Sequence, residues 1–129
     1  MRLAKAVCFV LSSLLVVASL GRTPVASASP SLGNTCTDWM KLAYDAAARQ
    51  EVVCGPISSP AEVLYWIPAQ PMPGGVHDAG TPCPGVPLYT FARSTDNYQI
   101  WCTEGQHVYL PGDVTISDPP QPIWGLYSP

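Results

Sequence analysis

Gln50-Glu51-Val52-Val53-Cys54 and Tyr98-Gln99-Ile100-Trp101-Cys102 are two short β-prone runs, each ending in a cysteine. β-Branched and aromatic side chains suit a pleated, half-buried surface, so each run reads as a strand. Cys36 precedes Cys54 by 18 positions, and Cys83 precedes Cys102 by 19. Gly33 and Gly80 stand in the same place ahead of Cys36 and Cys83. After each run comes an aromatic-x-proline, Trp66-Ile67-Pro68 and then Tyr109-Leu110-Pro111. Ordered agreement of this kind, at an offset of about 47 residues, is what an internal repeat leaves in a sequence. It predicts two tandem β-hairpin modules.

Between the first two cysteines, residues 37–49 (TDWMKLAYDAAAR) admit two readings. Trp39, Leu42, Ala43, Ala46 and Ala47 fall at helical spacing, and the alanines favour helix. The repeat argues instead for a strand up to Tyr44, a turn over residues 45–49 and a return strand into Cys54. The hairpin is preferred. In the second unit residues 88–92 (LYTFA) are strand-like, and Ser94-Thr95-Asp96-Asn97 reads as the turn. Residues 63–67 (VLYWI) and 108–110 read as further strands, while the prolines and glycines of residues 68–87 mark a loop. The expectation is a mainly β, small disulfide-stabilised domain. A first cysteine-paired module spans residues 29–75 and a second spans 76–117. Residues 118–129 (DPPQPIWGLYSP) form a proline-rich extended tail, polyproline-like in part.

At the N-terminus, Arg2 and Lys5 precede an uncharged, mostly apolar run, residues 6–20, and Ala26-Ser27-Ala28 supplies the small-residue cleavage pattern. A bilayer-spanning helix needs about 20 apolar residues, and Gly21, Arg22 and Pro24 cut this run short. Residues 1–28 are therefore expected to be a secretory signal peptide, helical in the precursor and removed together with Cys8. No later apolar run is long enough to anchor the remaining chain in a membrane. The expected location is secreted or extracellular, with retention at the cell envelope as an alternative.

Removal of residues 1–28 leaves Lys41, Arg49 and Arg93 against all nine acidic residues, a formal charge of −6 compared with −3 for the whole chain. Nucleic-acid binding needs a basic footprint to displace counterions from phosphates, so that class is set aside. Anionic membrane surfaces are disfavoured for the same reason. Cys36, Cys54, Cys83 and Cys102 remain, an even set in an oxidising destination, which predicts two disulfides with three pairings open. A real repeat would make Cys36–Cys54 and Cys83–Cys102 the economical pairing. There is no Cys-x-x-Cys, and the two histidines lack ligand-like spacing, so no metal and no cofactor is expected.

No catalytic residue is assigned. His77-Asp78 is half of a general-base arrangement, yet adjacent side chains point apart and the pair sits in the Pro/Gly-rich loop. His107 follows a turn-like Glu104-Gly105-Gln106, and no serine lies in a Gly-x-Ser-x-Gly elbow. Trp39, Trp66 and Trp101 are expected to pack beside the disulfides. Trp124 and Tyr127 either dock back onto the domain or form an exposed aromatic patch, and they are the candidate binding residues.

The WMK-L-A-Y-D segment running into Val52-Val53-Cys54, with the later Trp66-x-Pro68, resembles the small secreted proteins of unassigned function of mycobacteria and related actinobacteria. That resemblance implies release to the envelope or medium and contact with wall or host components. The expected function is non-enzymatic binding of an extracellular protein or polysaccharide. A second reading is a secreted proteinase inhibitor: the chain is similar in outline to the Streptomyces subtilisin-inhibitor type, with Thr81-Pro82-Cys83-Pro84 in place of its Cys-Pro reactive loop. The cysteine spacings and loop flanks differ from that family. A small secreted hydrolase is the third reading.

Overall fold

The computed structural model describes residues 29–57 and 63–127, so the expected signal segment lies outside the described residues. In chain order the strands are β1 (Thr35–Cys36), β2 (Leu42–Asp45), β3 (Gln50–Pro56), β4 (Leu64–Pro68), β5 (Val76–His77), β6 (Phe91–Ser94), β7 (Gln99–Thr103), β8 (His107–Leu110), β9 (Val114–Ser117) and β10 (Ile123–Leu126). They form one sheet in the order β1-β4-β3-β2, a second in the order β10-β7-β6-β5, and a separate β8-β9 hairpin. Among the described residues there is no helix.

Residues 37–49 take the hairpin form. Asp45 closes the turn by accepting the Ala48 N–H at 3.0 Å, and Arg49 adopts the left-handed conformation (φ 54°) that lets the chain reverse. Leu42 then falls opposite Val53 and both are buried. Val52 and Val53 are both buried too, so β3 is covered on both faces. That explains a continuous apolar run rather than an alternating one.

The two sheets are built on one scheme. The disulfides are Cys36–Cys54 and Cys83–Cys102, each with Cα atoms 5.9 Å apart. Ahead of them, Gly33 (φ 83°) donates its N–H to the Trp66 carbonyl at 3.0 Å, and Gly80 (φ 89°) donates to the Trp124 carbonyl at 2.7 Å. In return Trp66 N–H bonds the Asn34 carbonyl and Trp124 N–H bonds the Thr81 carbonyl, both at 2.9 Å. Trp66 lies across from Cys54 in the ladder, and Trp124 lies across from Cys102. Further on, Met40 (φ 61°) and Tyr89 (φ 68°) donate to the Cys54 and Cys102 carbonyls at 2.7 Å, while Cys54 and Cys102 donate back to Lys41 and Thr90. Two residues thus oppose one, a β-bulge at the same point of each sheet.

This correspondence revises three of the sequence expectations. The residue standing where Trp66 stands is Trp124, not Tyr109. Tyr109-Leu110-Pro111 belongs to the β8-β9 hairpin, which the chain forms after β7 and before β10 while those two strands pair with each other. The segment read as an extended tail contributes β10, buried along its whole length in the second sheet. Flanking prolines concealed it, since only four residues between them form the strand. The second hairpin's outgoing strand starts at Phe91; Leu88 and Tyr89 belong to the turn closed by Thr90 N–H to the Pro87 carbonyl.

The halves share a single core. Met40, Leu42 and Val53 from the first pack with Ala92, Ile100, Cys102, Trp124 and Leu126 from the second. Main-chain bonds cross the seam, from Leu42 to Asn97 and from Gln99 to Met40, both 2.9 Å. Arg93 pairs with Glu51 and holds Asn97 Oδ1 at 2.6 Å. This ion pair is partly exposed, a setting in which such pairs contribute up to about 1 kcal/mol.

Gly125 carries the hairpin. A Cβ there would run into Val108 Cγ1, with Thr103 Cγ2 and the Tyr109 carbonyl 3.3 Å away. Gly125→Ala should therefore lift β8 from β10 and cost about 1–3 kcal/mol, the usual range for overpacking, as read by chemical denaturation. Asp45 gives a pH signature. The Ala48 and Leu32 N–H groups hold its buried carboxylate below the ordinary value of 3.8. A depressed folded value means stability that is present above 3.8 and lost as pH falls through the folded value. Asp45→Asn should be less stable at neutral pH and show a shallower acid limb in a Tm-versus-pH series.

Candidate functional site

The β8-β9 hairpin has no counterpart among the described residues of the first half, and it walls a groove of about 740 Å³. Tyr109, Leu110, Val114 and Thr115 form one side together with the Pro111-Gly112-Asp113 turn; Thr37, Asp38, Trp39 and Tyr98 form the other. Leu126 and Tyr127, at the end of β10, also line it. The turn reverses through Gly112 (φ 81°) and Asp113 (φ 60°), which leaves the Asp113 carboxylate exposed at the tip.

Hydrogen bonds fix the aromatic walls. The Trp39 indole N–H donates to the Tyr127 carbonyl at 2.7 Å, and the two rings lie nearly parallel with centroids 6.4 Å apart. The Tyr98 hydroxyl donates to Asp38 Oδ2 at 2.7 Å. Accepting that bond, Asp38 favours the neutral phenol, and with burial it pushes the Tyr98 pKa up to about 12. Lys41 extends over the Tyr98 ring, Nζ 4.5 Å from the centroid, and donates to the Asp96 carbonyl. Tyr127 meets Trp101 edge-on at 4.8 Å, and Trp101 packs on Tyr89 at 4.8 Å and Phe91 at 5.8 Å. The groove therefore opens into an aromatic seam. The Trp101 indole nitrogen is buried in it without a hydrogen-bond partner among the described residues.

The two candidate binding residues separate. Tyr127 reaches the groove and is about one-third exposed (36%). Trp124 is 1% exposed and stacks on the His77 ring at 4.6 Å, so it presents no face to a ligand. His77 Nε2 donates to the Gly74 carbonyl at 2.7 Å, while Asp78 Oδ1 accepts the Thr95 hydroxyl. The adjacent pair is thus split between two partners. His107 Nδ1 lies 3.4 Å from the Ser117 hydroxyl, at the exposed base of the hairpin. Around Thr81-Pro82-Cys83-Pro84, Cys83 is buried and donates its N–H to the Pro122 carbonyl, and Pro82 bridges Ile123. This segment is woven into the sheet edge.

The sequence places Trp39 beside a disulfide, Tyr98 in a β-prone run and Tyr109 in the repeat pattern, and assigns neither them nor Asp38 to a binding site. Asp38 and Tyr98 are 60 residues apart in the chain, so no local pattern could pair them. The Pro111-Gly112-Asp113 turn was a legible hairpin signal. No known protein family, curated protein or solved structure matches the chain.

A direct check is ultraviolet titration of the tyrosines. With the phenol held neutral by Asp38, Tyr98 should ionise near pH 12, and Asp38→Asn should return that one transition toward the ordinary value of 10. A raised folded value also means that this bond's stabilisation is full below pH 10 and lost as pH rises through 12.

Proposed function

We propose that the protein is a secreted, non-enzymatic binding module that holds an extracellular protein or polysaccharide in the groove between the Trp39 turn and the β8-β9 hairpin. The observation that carries this reading is the groove's wall of Trp39, Tyr98, Tyr109 and Tyr127, held open to solvent and oriented by hydrogen bonds. Rigid aromatic rings with a polar edge supply large contact area at low entropic cost. Among the described residues the lining combines them with two carboxylates, Asp38 and Asp113, and no histidine, serine or cysteine. Tyr98 serves as a hydrogen-bonding group rather than a base, because Asp38 opposes its deprotonation.

Export by the signal at residues 1–28 and release to the envelope or medium complete the reading, in line with the resemblance to small actinobacterial secreted proteins. Both disulfides fit an oxidising destination. The matched hydrogen bonds of the two sheets support descent from a duplicated unit, whose second copy acquired the β8-β9 hairpin as its binding wall.

The test is a heteronuclear NMR titration of the disulfide-bonded protein against soluble wall polysaccharides, extracellular proteins and short peptides. A ligand should perturb Trp39, Tyr98, Tyr109 and Tyr127 together. Tyr109→Ala, at a 43% exposed position, should weaken it about tenfold, or 1.4 kcal/mol, without lowering Tm. Perturbations confined to other surfaces, or turnover of the ligand, would overturn the proposal.

A further inference from the structure

We infer that β9 is a docking edge for an extended basic peptide of an extracellular partner, which adds to the β8-β9 hairpin as a third strand; this rests on the binding reading above. β9 pairs with β8 alone, and its outer edge is open among the described residues. Of the other edge strands, β1 and β5 are only two residues long, β2 is tied to the second half by the Leu42 N–H to Asn97 carbonyl bond, and β10 is bridged by Pro82 and packed against β8, whereas β9 offers four residues, Val114–Ser117. The strand holds neither proline nor charge, the devices that ordinarily blunt an edge. Val114 is 51% exposed and Thr115 and Ser117 are exposed.

The outward groups can be counted off. Asp118 N–H bonds the Gln106 carbonyl at 2.7 Å, and His107 pairs with Ser117, Val108 with Ile116, and Tyr109 with Thr115. Bonded and non-bonded pairs alternate along an antiparallel ladder, so the main-chain groups of Thr115 and Ser117 face away from β8. A peptide strand laid there would bond to both. In such strand addition the main chain supplies affinity and neighbouring pockets supply selectivity.

Charge selects the occupant. Asp113 and Asp118 bracket β9, and Asp38 faces it across the groove that begins at Val114 and Thr115. Lys41 is occupied by the Tyr98 ring and the Asp96 carbonyl. Arginine or lysine side chains would meet carboxylates and aromatic faces together, the surroundings that favour a cation. A second copy of this chain fits poorly. Two-fold antiparallel pairing of β9 with itself would gather Asp113 and Asp118 of both copies at the ends of one short ladder whose strands carry no cation, and like charges brought together repel.

The probes are a capped Arg-Val alternating hexapeptide and its Glu-Val counterpart, titrated into the isotope-labelled, disulfide-bonded protein. The Arg-Val peptide should shift the amides of Val114–Ser117, slow hydrogen exchange at Thr115 and Ser117, and bind more weakly as salt rises. Thr115→Pro removes one outward donor without touching the β8 ladder and should weaken binding about tenfold or more, while Thr115→Val should retain it. Equal binding of the Glu-Val peptide, or indifference to Thr115→Pro, would overturn the inference. So would dimerisation in sedimentation that Thr115→Pro abolishes, since the edge would then serve self-pairing. If a wall polysaccharide moves the groove residues and neither peptide binds, the peptide inference falls and the binding reading stands. If nothing in either screen binds, both fall.

Discussion

In each half a cystine joins the opening segment to the middle strand, and a tryptophan stands directly across the ladder from its second cysteine. Cys54 faces Trp66, and Cys102 faces Trp124. In the chain-entropy account each such loop closure contributes roughly 3 kcal/mol by restricting the unfolded chain. That matters in a small β protein, where buried area alone leaves stability marginal. The cystine also holds the glycine turn before it against the strand beyond the tryptophan, so the sheet's outer edge is tied to its centre. Everything else is hung from these two points.

With the scaffold fixed twice, the differences between its halves build the groove proposed as the binding site. The first half connects β3 to β4 through residues 57–63; the second uses residues 104–122, long enough to build the β8-β9 hairpin. Gly125 allows that hairpin to lie flat on β10, and the turn at Trp39 in the first half faces it. The groove therefore exists only because the halves are fused through a common core and a crossing set of main-chain bonds. The second half alone would lack Thr37, Asp38 and Trp39, and the first alone would lack the hairpin.

Fold class, both cystines and the hairpin at residues 37–49 were legible because their signals are local or arithmetic: paired cysteines, glycines at fixed offsets, and β-prone runs. The aromatic-x-proline match failed because it assumed equal spacing in both halves, and the inserted hairpin moved the true counterpart from Tyr109 to Trp124. β10 was hidden between Pro122 and the chain end, its four residues too few to show a period. The site was less legible still. Trp39, Tyr98, Tyr109 and Tyr127 come from four different segments; only Tyr127 stands out in the sequence as a binding candidate, and the other three read as ordinary core or surface. Only tertiary pairing, with Asp38 meeting Tyr98 across the seam, gathers them.

The pairing of the cysteines is what the twofold scaffold depends on most directly. A non-reducing peptide map of the protein purified without reductant should yield linked peptides joining Cys36 to Cys54 and Cys83 to Cys102. Peptides joining the first pair to the second, or free thiols at these positions, would contradict a scaffold built twice around local cystines.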